Sequence, residues 1–147
     1  MLPRLLFVSA GLSLALALVP EAARPQAPAD MVACADERVK TAMLQPAQLS
    51  AAEAACSRVL SGSASMADQQ KASFYRGLMR FLQVVQKGMA SSGKADGSVA
   101  YAPPTLVQVR PALVDIEAAI GLDGPMKGDA LALRATINQT IGRSAEA

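Results

Sequence analysis

A weak internal echo constrains this chain more than any other feature. Ala52-Glu-Ala-Ala-Cys56-Ser-Arg-Val59-Leu60 is matched by Ala112-Leu-Val-Asp-Ile116-Glu-Ala-Ala119-Ile120. In both, small or apolar residues fall on one face of a helix. Each is followed by a second helix-like run with a shared pattern, Ala72-Ser-Phe-Tyr-Arg76-Gly77 and Ala130-Leu-Ala-Leu-Arg134-Ala135. A helix pair that recurs buries its apolar face against the next pair, so the pattern predicts stacked helical hairpins. Only 3% of the residues are aromatic and no segment alternates as a strand, which favours the same all-α class.

The N-terminus is set apart from this stack. Met1–Arg4 is a short basic start, Leu5–Val19 is an apolar run relieved by Ser and Gly, and Ala27-Pro28-Ala29 offers an Ala-x-Ala cleavage site. That order predicts a secretory signal peptide over residues 1–29 and export to the bacterial periplasm or beyond. The run is shorter than the roughly 20 residues of a membrane span, so no membrane partner is expected after cleavage. An uncleaved anchor and a lipid-bearing Cys34 are the competing readings.

Residues 30–147 then form one domain. The formal net charge of +2 falls to +1 once Arg4, Glu21 and Arg24 leave with the leader. No basic block remains, so there is no electrostatic case for nucleic acid. Cys34 and Cys56 are the only cysteines. In an exported chain an even pair is most simply a disulfide, worth on the order of 3 kcal/mol for a loop of this length. A redox or metal pair is the rival, disfavoured by the absence of a Cys-x-x-Cys motif and of histidine.

Five helical segments can be read from the mature chain. The first spans Asp30 to Leu44 and is ended by Pro46. The second is opened by a Ser50/Glu53 capping box and runs to Leu60, before Gly62. The third starts at Ser65, with a Ser65/Asp68 box, and carries Phe74, Leu78, Phe81, Leu82, Val85 and Met89 as an apolar stripe. Loop punctuation predicts an insertion over about 90–109. The fourth begins near Pro111 and ends at Gly121; the fifth follows Pro125 and carries Leu133, Ile137 and Ile141 to Gly142.

Ala112…Ile116…Ala119-Ile120-Gly-Leu122-Asp123 resembles the second helix of a tetratricopeptide repeat and its exit, except that Gly124 intervenes before Pro125. Ala130…Arg134-Ala135 and Gly142 resemble the next first helix and its turn. Phe74-Tyr75-Arg76-Gly77 is similar, one residue short, to a Tyr-x-Arg-Gly stretch of secreted bacterial tetratricopeptide-like proteins, whose first hairpin carries two Cys, as Cys34 and Cys56 do here. Ala72 to Ala112 is longer than the family spacing, so an insertion parts two paired helices. The resemblance implies antiparallel hairpins stacked as a short right-handed superhelix, about five helices after the signal helix. It also implies binding of an as yet unidentified protein or peptide on the face lined by first helices: Lys71 and Tyr75, with Asp129, Leu133, Thr136 and Gln139.

No catalytic set stands out. The chain has no histidine, no phosphate-binding glycine loop and no haem-attachment motif. Asp36, Glu37, Asp115 and Glu117 read as solvated surface charge, and Lys71, Arg76 and Arg80 as a charged outer helix face. The expectation is a non-enzyme with no cofactor and no metal. A small exported holdase chaperone with one disulfide is the alternative; its acid-triggered form needs a buried carboxylate, and none is evident in the sequence.

Overall fold

The computed structural model describes residues 27–39, 44–91 and 103–143. They form α1 (Ala27–Cys34), a 3-10 turn (Glu37–Val39), α2 (Pro46–Ser61), α3 (Met66–Ser91), α4 (Leu106–Gly121) and α5 (Lys127–Thr140). The fold is all-helical, with no strand among the described residues. The leader through residue 26, residues 40–43 of the expected first helix and residues 92–102 of the expected insertion lie outside the described residues.

Each helix runs back along the one before it. In the first hairpin Asp30 faces Arg58, whose Nη2 donates to Oδ1 at 2.7 Å, and Cys34 is bonded to Cys56. The expected first helix is interrupted. It ends at Cys34, and Asp36 accepts from the Arg38 amide and guanidinium, which closes a separate turn. These bonds, the side-chain ones foremost, hold the Asp36 carboxyl below its ordinary value. Pro46 does not end a helix but opens one, as the first residue of α2, where a missing N–H costs nothing. The expected Ser50 cap is therefore one turn inside α2, and its hydroxyl donates to the Pro46 carbonyl. Gln45 marks the true start: its amide donates to Gln48 Oε1 at 2.9 Å.

Helix α3 begins as its sequence suggests, with the Asp68 amide donating to Ser65 Oγ. It lies between α2 and α4, and its Ala72, Phe74, Met79 and Phe81 join Leu49, Val59, Val109, Ile116 and Ile137 in one core. Helix α4 starts five residues before Pro111, at Leu106, where the Thr105 amide donates to Gln108 Oε1. Pro111 is thus interior to the helix. It has no N–H to give the Val107 carbonyl, but both residues are exposed and water can serve that oxygen. Helix α5 ends as expected before Gly142, whose φ of 77° closes the turn.

Two close approaches fix α3 against α4 and its exit. A Cβ on Gly77 would lie 2.7 Å from Ile116 Cδ1 and 3.1 Å from the Ala112 carbonyl. Further down, the fully buried Gln70 donates through Nε2 to the carbonyls of Ala119 and Leu122, at 3.1 and 2.6 Å, and its Oε1 accepts from the Met126 amide at 3.3 Å. One amide thus satisfies groups at the end of α4 and the start of α5. Gly124 makes room for it, since a Cβ there would sit 2.3 Å from Gln70 Oε1. The glycine that departs from the repeat pattern is explained by this contact.

Gln70→Ala is expected to cost about 1–3 kcal/mol in urea unfolding, because it strands buried carbonyls, and Gly124→Ala should be non-additive with it. Independent effects would show the two do not share a site. Reduction of Cys34–Cys56 should lower the thermal midpoint, by an amount corresponding to roughly 2–4 kcal/mol; an unchanged midpoint would mean the bridge does not constrain the unfolded chain.

Candidate functional site

The polar residues of α2, α3 and α4 converge on one carboxylate. Asp115 is 2% exposed, on the same side of α4 as Ala112, Ile116 and Ala119. Arg76 grips it in a two-pronged pair, Nη2 to Oδ1 at 2.6 Å and Nε to Oδ2 at 3.0 Å. Arg80, one turn later on α3, adds Nη1 to Oδ2 at 2.8 Å. The same guanidinium turns its Nε to Glu53 on α2 at 2.7 Å, and Gln83 donates to the other Glu53 oxygen at 3.1 Å. Arg76 also reaches Ser57 Oγ on α2, at 3.4 Å.

This corrects two expectations. Asp115 is not solvated surface charge, and Arg76 and Arg80 are not an outer face. They form a ladder between three helices, whose charges are satisfied within it. Each of these contacts is an ion pair or hydrogen bond that ties one helix to another, which is a structural role. Asp115 was findable, as a carboxylate inside an apolar stripe three residues after Ala112. Its partners lie 35 and 39 residues away on another helix, where spacing along the chain says nothing.

The six residues expected to line a binding face do not behave as a set. Tyr75 is 1% exposed and belongs to the core, its hydroxyl donating to Glu37 Oε1 at 2.8 Å. It faces the α1 side of α3, because the short turn after α1 folds Glu37 over it. Lys71 and Leu133 are half-buried; Asp129, Thr136 and Gln139 are exposed on α5. The Thr136 hydroxyl donates to the Ala132 carbonyl of its own helix.

An open groove of about 820 Å³ lies elsewhere, between α4 and α5, and none of those six residues lines it. Its α4 wall is apolar, with Leu106, Val107, Leu113 and Val114, interrupted by Arg110 and Glu117. Arg134 and Asn138 of α5, and Arg143 beyond it, form the other side. Val107 is 81% exposed and Val114 62%, a concentration of large apolar side chains on one helix face. Arg134 meets Glu117 across the groove at 3.3 Å. Sequence reasoning missed this groove because it placed residues 106–109 in a loop. Among the described residues no three metal-ligating side chains come together, and no helix is long and apolar enough to cross a membrane.

Asp115→Ala should destabilise the fold by about 3 kcal/mol in urea unfolding, because it leaves the half-buried Arg76 guanidinium without its carboxylate and Arg80 with Glu53 alone. Asp36→Ala, which breaks an exposed local pair, should cost no more than about 0.5 kcal/mol. Equal small effects would show that the ladder is not a structural element.

The chain matches no protein-family model, and it has no significant match among curated proteins or solved structures.

Proposed function

We propose that this protein is exported, is not an enzyme, and binds another protein or peptide on a short stack of helical hairpins of tetratricopeptide-like build. The observation that carries this reading is the α4–α5 groove: exposed valines and a leucine on a rigid helix face, rimmed by charge. Such a patch is costly to leave in water and is suited to covering by a partner. The arginines and carboxylates on the α2–α3–α4 side serve the fold, so they do not compete with this surface for the functional role. The echo of Ala52–Leu60 in Ala112–Ile120 supports this build, as does the packing of α3 against both α2 and α4.

The binding face is accordingly reassigned from the α3–α5 set to α4 and α5. A photo-crosslinking residue placed at Val107 should yield a small number of discrete adducts in cells, while one at the exposed Ser63, in the turn after α2, should not. Adducts of equal number and intensity from both positions would contradict a specific binding face. A holdase predicts a different pattern: suppression of aggregation of many unfolded clients, unaffected by Val107→Asp.

A further inference from the structure

We infer that the Cys34–Cys56 bridge is a redox latch: it holds α1 and the 3-10 turn closed over α2 and α3, and its reduction by a dithiol releases that segment while α2 to α5 stay folded. The segment has little of its own to hold it in place. An eight-residue helix has no stability by itself in water. Apart from Cys34, its one fully buried apolar side chain among the described residues is Val39; Met31 and Ala35 are partly buried, and Val32 is 76% exposed. The Arg58–Asp30 pair joins α1 to α2, but its guanidinium lies in solvent, so it adds little. The Tyr75 hydroxyl donates to Glu37 Oε1 at 2.8 Å, a further tie to α3. Against the entropy of ordering the segment these contacts are weak, and the covalent bridge supplies the difference.

The other helices are tied to one another without it. Arg76 and Arg80 of α3 pair with Asp115 of α4, and Arg80 pairs with Glu53 of α2. Gly77 admits Ile116, and Gln70 holds the α4–α5 turn. None of these contacts includes a residue before Pro46. Release of the segment therefore removes one layer and leaves the ladder in place. It also changes the surface, because Tyr75 on α3 and Cys56 on α2, both fully buried in the closed form, lose their cover. The chemistry is thiol–disulfide exchange: a thiolate of the dithiol attacks one sulfur, the S–S bond breaks, and the second thiol displaces the mixed disulfide. Cys34 and Cys56 gain two electrons and two protons as thiols, and the reductant departs as its own disulfide. Both cysteines are fully buried, so attack waits on outward fraying of α1, and the closed form withstands brief exposure to thiols.

The test is amide hydrogen exchange, read residue by residue by NMR, on the purified protein oxidised, reduced with dithiothreitol, and carrying Cys34→Ser with Cys56→Ser. The Ala35 and Val39 amides donate to the Met31 and Asp36 carbonyls at 2.9 and 3.0 Å and report on the segment. The Met79 and Ile116 amides, in α3 and α4, report on the rest. Reduction should speed exchange at Ala35 and Val39 by about a hundredfold while Met79 and Ile116 stay protected. The double variant should match the reduced protein without any thiol present. Iodoacetamide should then label both Cys34 and Cys56 of the reduced protein under conditions in which Met79 and Ile116 remain protected. Unchanged exchange at Ala35 and Val39 in the reduced wild-type protein would overturn the latch, whatever the variant does. So would loss of protection at all four amides together, since the bridge would then support the whole fold rather than one segment. Rapid exchange at Ala35 and Val39 in the oxidised protein would overturn it as well, because the segment would not be closed to begin with.

Discussion

A carboxylate buried on α4 governs how α2, α3 and α4 can sit together. An ionised Asp115 cannot be taken from water unpaired, so its position demands the two guanidiniums that α3 supplies one turn apart. Arg80 passes the constraint on to Glu53, and so to α2. A paired charge of this kind adds little net stability against an apolar alternative, but losing one partner is costly. Its value here is register. If α3 slipped one turn along α4 so that Arg80 took the place of Arg76, Val84 would stand where Arg80 does and Phe81 would replace Gly77 against Ile116. The glycine contact and the ion pairs therefore reject the same error.

Two further ties act at the ends of this three-helix unit. The Cys34–Cys56 bridge and the Arg58–Asp30 pair hold α1 to α2 on one side. On the other, the Gln70 amide holds the α4–α5 turn. Helix α5 is thus anchored at its start and packs mainly on α4, while its far end and the beginning of α4 leave the groove open. The polar chemistry gathered on the α2 side ties the three helices together, and the apolar surface left over on the opposite side is the face proposed for a partner. The two faces of α4 differ: Ala112, Asp115, Ile116 and Ala119 point inward, while Val107, Arg110 and Val114 point outward, on the face proposed for binding.

Much of the architecture was legible in the sequence, and the exceptions share a cause. Phe74 and Phe81 of the α3 stripe, the Ser65 start, Ile137 of α5 and the Gly142 stop are local signals, decided within one or two helical turns; Met89 of that stripe is instead exposed, and the fully buried Met79 lies outside it. The cysteine pairing was legible because only two cysteines exist. The two prolines were misread in opposite senses. Pro46 reads as a stop from its neighbours and is a first residue; Pro111 reads as a first residue and lies within α4. A proline alone does not say on which side of it the helix lies, and here the Gln45/Gln48 and Thr105/Gln108 pairs decide. Glu53 was assigned to a cap that its own helix does not need, because its partner is Arg80 on another helix. The expected binding set failed at Tyr75 for the same reason: a tyrosine on a helix is core or surface according to what folds over it, and Glu37 does.

Native-state hydrogen exchange across α2, α3 and α4, followed as denaturant is raised toward the unfolding transition, tests the central claim most directly. If the Asp115 ladder makes these helices one unit, their most protected amides share a single opening free energy and merge into global unfolding together. Opening of α2 at a lower free energy, with α3 and α4 still protected, would contradict the account.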